Sequence, residues 1–289
     1  MELIKVGDKT YYIKNPTNIG VYKVSENEVY LIDAGGDKDA GKKILKIIDG
    51  QGWKVRGIIS THSNADHVGG NAVIQDRTGC VILGYGAEKA ITENPILEPS
   101  YLYGGYPFRD IRNKFLMANK SKLEEIDGNL PEGLSYFLLK GHFFDMIGIK
   151  TSDDVYFLAD SLVSAKTIEK YHMFVVYDVK EYLATLDFLS EQKAKLFIPS
   201  HCEATTDISE IIELNRGKIY EIREKIYNAC NGTSFEDILA YIFDEYSLVM
   251  NANQYVLIGS TVRSYLSYLY DDGKITFEFE NGKMLWKRA

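Results

Sequence analysis

The hydrophobic and polar positions in the first 85 residues alternate between strand-like and helix-like spacing. Residues 29–33 form a short apolar run that predicts a buried strand, and the apolar positions of residues 40–48 recur at the spacing of an amphipathic helix. Residues 57–61 and 80–83 predict two further strands, with a helix that begins near Gly69 between them. Strands that alternate with helices in this way are typical of an α/β protein.

The middle of the chain is less regular. Residues 92–120 combine prolines, aromatic residues and cations without a strand-like alternation, and they predict an insertion. Strand spacing resumes at Tyr136–Leu139, and residues 146–158 predict a hairpin. A helix over residues 181–192 and a last strand at Lys195–Pro199 complete this part of the chain.

The C-terminal part of the chain predicts three helices followed by a hairpin. A long charged helix covers residues 209–229, a capping signal at Thr233–Asp237 begins a second helix, and a third helix covers residues 254–270. An Asn-Gly pair between alternating segments near the end is a strong hairpin signal. We therefore predict two domains: residues 1–208, which include the insertion, and a small winged-helix-like α+β domain at residues 209–289.

The composition is that of an ordinary globular protein of 289 residues, of which 45% are apolar and 26% are charged. A net charge of −8 argues against a surface that grips nucleic acid or an anionic membrane. No apolar segment has the length of a signal-peptide core or of a membrane-spanning helix. Cys80, Cys202 and Cys230 are widely scattered and imply no disulfide framework. We expect a cytoplasmic protein that acts on a small molecule.

The densest group of metal-ligand residue types follows the predicted strand at residues 57–61. His62, Asp66 and His67 fall within six residues, and Asn64 lies among them. A tight loop directly after a buried strand can direct such side chains toward one point, as a metal site requires. Imidazole suits zinc and iron, and a carboxylate helps to neutralise the cation.

Three more candidate ligands follow later predicted strands. His142, Asp160 and His201 each come within three residues of the end of such a strand. A single histidine beside a strand is more often a hydrogen-bonded core residue than a ligand. Four of the five histidines share this context, however, so the set predicts a metal centre. His172 lacks the context, and we assign it a structural or surface role.

Taken together, these residues resemble the metallo-β-lactamase superfamily, and within it the glyoxalase II-like hydrolases. The family signature is His-x-His-x-Asp-His, followed by a histidine after a glycine, an aspartate at a strand end and a final histidine. The matching residues, in the same order, are His62, Asp66, His67, His142, Asp160 and His201. The resemblance spans about residues 15–205 and implies the family's αββα fold, in which two β-sheets are flanked by helices.

One position departs from the family, because Asn64 stands where the family has its second histidine. The resemblance implies two metal sites that share a bridging aspartate. The first set of ligands is His62, Asn64 and His142, and the second is Asp66, His67 and His201, with Asp160 between the two. An amide oxygen is a weaker, neutral ligand, so we expect the first site to lose affinity and the second to persist. One or two zinc ions are expected, with iron or manganese as alternatives.

The resemblance also implies a hydrolytic chemistry. A metal ion lowers the pKa of a bound water to about 7, so hydroxide is available at neutral pH. Asp66 is the predicted catalytic residue, because it would orient this nucleophile. Asp33, at the end of an apolar strand, either supports the ligand loop or caps its own turn.

The expected substrate is a small ester, thioester, lactone or phosphoester. Within the insertion, Tyr103, Arg109 and Arg112 are predicted to bind it, since aromatic and cationic side chains suit an anionic or thioester compound. The alternative is that the insertion forms a lid or a homodimer contact.

Two other functions stay open. The first is an RNA nuclease of the same fold, because some family nucleases carry extra domains and a winged helix commonly binds nucleic acid. The second is a degenerate member that binds metal or ligand without catalysis, for which Asn64 is the only support. Charge weighs against the nuclease, since residues 231–289 contain five cations against eight carboxylates, and Arg263 is the only cation between residues 253 and 270.

We predict that the protein does not bind generic RNA or DNA. The acidic balance of residues 231–289 repels phosphates, and no stripe of basic and aromatic residues compensates for it. The measurement is an anisotropy titration with labelled RNA and DNA at low salt, where electrostatic binding is strongest. Tight binding under those conditions would contradict the prediction and make the nuclease the leading hypothesis.

Overall fold

The computed structural model describes residues 1–289, and its first layer is a seven-stranded sheet. The strands are β1 (Glu2–Lys5), β2 (Thr10–Lys14), β3 (Ile19–Lys23), β4 (Glu28–Ile32), β5 (Lys54–Ile59), β6 (Val81–Gly84) and β7 (Glu124–Glu125). They lie in chain order, antiparallel from β1 to β4 and parallel from β4 to β7. The predicted alternation with helices is therefore wrong before β4, where short turns join neighbouring strands and leave no room for a crossover helix.

A second sheet contains four strands in the order β11-β10-β9-β8. They are β8 (Leu134–Leu138), β9 (Ile147–Thr151), β10 (Val155–Phe157) and β11 (Leu196–Ile198). The predicted hairpin is confirmed, since β9 and β10 pair as antiparallel neighbours. Strands β10 and β11 are parallel, so their carboxyl ends lie at the same edge of the sheet.

Ten helices surround the two sheets. They are α1 (Lys38–Gly50), α2 (Ala65–Val68), α3 (Asn71–Thr78), α4 (Gly86–Glu93), α5 (Leu97–Tyr103), α6 (Ala165–Tyr171), α7 (Val179–Ser190), α8 (Ser209–Ala229), α9 (Phe235–Glu245) and α10 (Ala252–Asp271). None of them combines the length and the apolar character that crossing a bilayer requires.

The side chains of β4 show how the layers are built. Val29 and Leu31 pack into a core with helices α1 and α3, while Tyr30 and Ile32 pack into another core with residues of the second sheet, such as Phe157. Successive side chains of a strand point to opposite faces, so one strand contributes to both cores. Helices α7, α8, α9 and α10 cover the other face of the second sheet. The predicted αββα sandwich is confirmed.

The C-terminal region, residues 209–289, adds a small third sheet to three helices. Its strands are β12 (Asn231–Ser234), β13 (Ile275–Glu280) and β14 (Lys283–Arg288), in the order β12-β14-β13. One cluster of 30 buried residues runs from Leu139 and Tyr156 of the sandwich to Leu266 and Ile275 of this region. The region therefore buries its apolar surface against the rest of the chain. Its winged-helix character stays a prediction.

The insertion packs on the C-terminal region. Most of it is irregular, apart from α5 and a single 3-10 turn at Arg109–Ile111. The Tyr101 hydroxyl lies 2.7 Å from Ser260 Oγ on α10. Leu102 and Val256 belong to one small buried cluster between the same two helices. Helix α5 is thus held in place from the C-terminal side.

We predict that Gly69→Ala destabilises the protein by roughly 1–3 kcal/mol, the usual cost of forcing extra volume into a packed interior. A Cβ atom at Gly69 would lie only 2.3 Å from the backbone carbonyl of Gly36, which has no freedom to move away. The control is Gly217→Ala in the exposed interior of α8, where a Cβ atom meets nothing within 4 Å. This change should stabilise the protein by about 0.5–1 kcal/mol. Urea unfolding measures both changes, and equal midpoints for the two variants would contradict the prediction.

Candidate metal centre

The loop after β5 carries two histidines whose rings are oriented by hydrogen bonds at Nδ1. His67 Nδ1 lies 2.8 Å from Asp33 Oδ2, and His62 Nδ1 lies 3.0 Å from Thr61 Oγ1. The Thr61 hydroxyl donates its hydrogen to the Asp33 carboxylate, so it accepts from His62. Both Nε2 atoms are therefore left free, and both rings are fully buried.

The other two histidines are oriented in the same way by backbone carbonyls. His142 Nδ1 lies 3.0 Å from the Val175 oxygen, and His201 Nδ1 lies 2.9 Å from the Pro16 oxygen. The chain reaches His142 through Gly141, whose φ of +113° and close approach to the backbone of Tyr182 exclude a larger residue. In all four histidines an oxygen fixes Nδ1, so Nε2 is the ring nitrogen that faces the same region.

Two aspartates lie among these nitrogen atoms. Asp160 Oδ1 is 3.0 Å from His67 Nε2, and Asp160 Oδ2 is 3.1 Å from His201 Nε2 and 3.7 Å from His142 Nε2. Asp66 Oδ2 is 3.2 Å from His201 Nε2. The Asp160 side chain is 12% exposed and the Asp66 side chain 49% exposed, so Asp66 is the carboxylate that faces solvent.

The predicted ligands form two groups in space. Asp66, His67, Asp160 and His201 make up one, and His62, His142 and Asp160 make up the other. Within each group the ligand atoms lie within 4.8 Å of one another, and Asp160 belongs to both. This is the arrangement that the sequence predicts for two metal positions with a shared aspartate.

Three buried atoms in this region have no hydrogen-bond partner: His62 Nε2, His67 Nε2 and Asp160 Oδ1. The last two are 3.0 Å apart but lack the geometry of a hydrogen bond. Buried polar atoms are nearly always satisfied, because an unpaired one costs about 1–3 kcal/mol. A cation that displaces the proton of His67 and binds all three atoms would satisfy them, so the residues fit a metal ion with nitrogen and oxygen ligands, such as zinc or iron.

The carboxylates control the protonation of two histidines. Burial disfavours the charged form of His67, but the negative charges of Asp160, Asp66 and Asp33 outweigh it and raise the pKa of His67 well above its ordinary value. The charge of Asp160 raises the pKa of His201 to about 10, although burial opposes the shift.

The other two histidines behave in the opposite way. Burial, together with the charge of His67, holds the pKa of His62 well below its ordinary value. Burial also lowers the pKa of His142, with Asp160 acting against the shift. At neutral pH both rings are therefore neutral and present an unprotonated Nε2 atom.

Asp33 explains why the ligand loop holds its shape. Its carboxylate accepts from the Thr61 backbone nitrogen at 2.8 Å and also orients His67. The backbone at Asp33 has a φ of +65°, which is unfavourable for a residue other than glycine. The hypothesis that Asp33 supports the ligand loop is confirmed.

Asn64 lies between the first group of ligands and a buried glutamate. Its Oδ1 atom is 3.0 Å from His142 Nε2, and its Nδ2 atom donates to Glu98 Oε1 at 2.8 Å. Asn64 thus stands where the sequence predicts a weak ligand. Burial raises the pKa of Glu98 well above its ordinary value, and the hydrogen bond from Asn64 acts against that shift.

Two buried glutamates near the site, Glu88 and Glu98, were not predicted. The Ser63 nitrogen and hydroxyl donate to Glu88 at 2.9 and 2.6 Å, so this carboxylate holds the loop beside Asn64. Burial raises the pKa of Glu88 to about 7, and the bonds from Ser63 oppose the shift. A signal was present for Glu98, which precedes the buried Leu102 by four positions and therefore shares its helical face.

The predicted substrate-binding residues lie in cavities that no metal ligand lines. Arg109 and Arg112 border a cavity of about 620 Å³, and Arg112 also lies over the ring of Tyr106. Tyr103 borders a different cavity of about 640 Å³, beside Arg263. Their role in binding stays a prediction.

Two other cavities reach the candidate ligands. One of about 550 Å³ is lined by Asp66 and, from the insertion, by Lys114 and Phe115. One of about 310 Å³ is lined by His201 and Lys166. The cations and the aromatic ring beside the candidate ligands are therefore Lys114, Lys166 and Phe115, which are not the residues predicted to bind substrate.

Cys202 and His172 lie outside the ligand set. Burial, reinforced by the charges of Asp160 and Glu203, raises the pKa of Cys202 to about 12, so its thiol stays protonated and is a poor nucleophile at neutral pH. His172 stacks on the ring of Tyr246 with 5.3 Å between centroids, in keeping with the structural role that we assign to it.

The fold and the site together define a class: αββα proteins with two groups of candidate metal ligands at one edge of the sandwich. A family model described as the metallo-beta-lactamase superfamily matches residues 13–201. The chain belongs to this superfamily, and its relatives point to a hydrolase.

Hydroxyacylglutathione hydrolases are among those relatives. The enzyme from Methylococcus capsulatus is 30% identical over 73 residues, which cover 23% of this chain and 28% of the relative. The enzyme from Anaeromyxobacter dehalogenans is 37% identical over 70 residues, which cover 22% of this chain and 28% of the relative. The chain thus spans little more than a quarter of the length of the curated relatives that it matches.

Solved structures share the fold over nearly the whole chain. A metallo-beta-lactamase family protein from Thermus thermophilus superposes with a TM-score of 0.73 at 16% identity, covering 97% of this chain and 99% of that one. A beta-lactamase domain protein from Burkholderia ambifaria superposes with a TM-score of 0.72 at 15% identity, covering 100% of this chain and 94% of that one.

We predict that metal binding at pH 7 releases protons. His67 and His201 are protonated in the metal-free protein because their pKa values are raised, and a metal ion at Nε2 has to displace those protons. Calorimetric titration in buffers of different ionisation enthalpy should show the release of about two protons for the site that contains both histidines. Affinity should rise with pH until about the pKa of His201, which is about 10. A binding enthalpy that is the same in every buffer would contradict the prediction.

Proposed function

We propose that the chain hydrolyses a small ester, thioester, lactone or phosphoester at this metal centre. The observation that carries the proposal is the convergence of four histidine Nε2 atoms on the shared carboxylate of Asp160. Three buried atoms there lack a hydrogen-bond partner, as expected where a cation is bound. Zinc is the expected ion, with iron or manganese as alternatives.

The second position would be held by Asp66, His67, Asp160 and His201, and the first by His62, Asn64, His142 and Asp160. When bound, the metal ions supply Lewis acidity that activates water and polarises the scissile group. Each histidine ring is held in its orientation by the oxygen at its Nδ1, so no ring has to rotate before a metal binds.

Asp66 is the residue proposed to handle the nucleophile. Its side chain is the exposed carboxylate of the site, and Thr17 Oγ1 donates to its Oδ2 atom at 3.1 Å. The nearby positive charge of His67 keeps the pKa of Asp66 below its ordinary value, even though burial opposes the shift. Asp66 is therefore ionised at neutral pH and can accept a hydrogen bond from the attacking water, which orients the water toward the substrate.

The substrate would approach from the solvent side of Asp66. The cavity there is lined by Phe115 and by Lys114, which pairs with Asp37 at 3.7 Å. The cation and the aromatic ring would suit an anionic compound with an apolar part that takes over the pairing of Lys114. Tyr103, Arg109 and Arg112 could contact only a longer substrate or a partner subunit. The relatives that are hydroxyacylglutathione hydrolases act, by their name, on acyl derivatives of glutathione. A thioester therefore ranks first.

A second candidate is a degenerate member that binds metal or ligand without catalysis. Asn64 favours it, because an amide replaces an imidazole at the first metal position. The two candidates differ in a measurable way: both bind metal, but only the hydrolase turns over substrate.

The test is hydrolysis of a panel of thioesters, lactones, esters and phosphodiesters by protein loaded in turn with zinc, iron and manganese. We expect turnover of at least one thioester that is lost on metal removal and restored on reloading. Asp66→Asn should lower kcat by about a hundredfold or more, the usual contribution of a group that handles a proton in the transition state. His172→Ala, which changes the histidine stacked on Tyr246, is the matched control and should leave kcat unchanged. Metal binding without turnover of any compound would favour the degenerate member, and a preparation that takes up no metal would overturn both.

A further inference from the structure

We propose that Glu98 is a positioning residue for the first metal position. It accepts a hydrogen bond from Asn64 Nδ2 and thereby keeps Asn64 Oδ1 directed at a cation shared with His62 and His142. This inference rests on the metal centre of the proposed function and assigns its first position a residue that the family signature does not contain.

The first step is the contact between Asn64 Oδ1 and His142 Nε2, which are 3.0 Å apart. The Val175 carbonyl accepts the hydrogen on His142 Nδ1, so the neutral ring presents a lone pair at Nε2. A carbonyl oxygen and an unprotonated nitrogen both accept, and two acceptors at this distance repel each other. A cation that both of them bind turns the repulsion into shared ligation.

A third lone pair points to the same place. His62 Nε2 is buried and has no hydrogen-bond partner, and the His62 and His142 rings are 5.3 Å apart between centroids. The side chains of Asn64, His62 and His142 can therefore provide three acceptors for one ion. Asp160 belongs to the same group and supplies a negative charge.

The second step is the direction of the Asn64 amide. An amide has an accepting end and a donating end, and the surroundings decide which end faces which neighbour. Glu98 Oε1 lies 2.8 Å from Asn64 Nδ2 and accepts a hydrogen bond from it. Rotating the amide by 180° would place its oxygen against this carboxylate and its NH₂ group against the first metal position. Glu98 therefore selects the orientation in which Asn64 is a ligand.

The third step is the burial of Glu98. The residue is 4% exposed, no lysine, arginine or histidine forms an ion pair with it, and Asn64 is its only hydrogen-bond donor. A buried carboxylate without a cation is costly. A metal ion held by Asn64 Oδ1 would supply positive charge on the other side of the amide and would strengthen the hydrogen bond from Asn64 to Glu98. This is the relation that a carboxylate has to a metal-bound histidine, with an amide in place of the imidazole.

The insertion supplies this glutamate. Glu98 lies in α5, whose position is fixed by the Tyr101–Ser260 hydrogen bond and by the packing of Leu102 near Val256 on α10. Asn64 replaces the second histidine of the family signature, and Glu98 from the insertion holds this asparagine in place.

The experiment measures the Co²⁺ affinity of the 289-residue chain by letting the protein and a chelator compete for the ion. The Co²⁺ absorption spectrum is followed for each of the two binding steps. Glu98→Gln keeps the volume but can pair with either end of the Asn64 amide. We expect the weaker binding step to lose about ten- to a hundredfold in affinity, with a change in its absorption band, while the tighter step is unchanged. Glu93→Gln is the matched control, since Glu93 is a partly buried carboxylate of the neighbouring helix α4 that accepts from the Leu123 backbone nitrogen and contacts no ligand.

A second pair of variants separates positioning from charge. In an Asn64→Ala background the amide is absent, so adding Glu98→Gln should leave the weaker step unchanged. Circular dichroism and urea unfolding of the metal-free variants establish that each is folded.

Unchanged Co²⁺ affinity in Glu98→Gln would overturn the inference. An equal loss of affinity on adding Glu98→Gln to the parent and to Asn64→Ala would also overturn it, because Glu98 would then act through its charge alone. A single binding step in the parent protein would also overturn it but would leave the metal centre of the proposed function standing. A parent protein that binds no Co²⁺ at all would instead remove the proposed function.

Discussion

The carboxylate of Asp160 is the contact on which the rest of the site depends. It follows β10 of the second sheet, yet it lies 3.0 Å from His67, which follows β5 of the first sheet. It also lies 3.1 Å from His201 after β11. The carboxylate of Asp160 thus contacts side chains from both sheets at this edge. The Ile147 backbone nitrogen of the second sheet also donates to the Thr61 backbone oxygen at 3.0 Å, which joins the two sheets at the same edge. The sandwich therefore positions Asp160 and the histidines against each other before any ion is bound.

That placement creates an electrostatic constraint. Asp33, Glu88, Glu98 and Asp160 are buried or nearly buried carboxyl groups. Burying such a group in its charged form without positive charge costs several kcal/mol, and burial accordingly raises the pKa values of Glu88 and Glu98. In the metal-free protein, protons on His67 and His201 provide part of the compensation, because their pKa values are raised. Metal ions and protons therefore compete for the same negative charge.

The ligands could be predicted from the sequence because strand ends are local features. His62, His142, Asp160 and His201 each follow an apolar run, and the carboxyl ends of parallel strands meet at one edge of a sheet. Glu98 could not be predicted in this way, because it lies in the irregular insertion and its partner Asn64 is 34 positions away along the chain. The antiparallel strands before β4 were missed because the prediction extended the later alternation backwards over segments that are too short to contain helices.

The residues predicted to bind substrate show a similar limit. Composition correctly indicates that the insertion combines aromatic rings with cations, but it does not indicate which of them face Asp66. The answer depends on the path of the irregular segment after α5, and that path places Lys114 and Phe115 at the cavity beside Asp66. Arg109, with a side chain that is 89% exposed, projects into solvent instead.

The packing of α10 on α5 has a consequence for how the chain responds to its ligand. Val256 and Ser260 support the helix that carries Glu98, and Glu98 contacts Asn64, so the C-terminal region is connected to the metal centre through two layers of contacts. A ligand that binds only the native state stabilises every segment that must be in place for binding. We therefore expect an ion bound at the ligand loop to stabilise the last helix as well. Protease sensitivity of residues 252–271, far from the ion in sequence, becomes a reporter of whether the ion is bound.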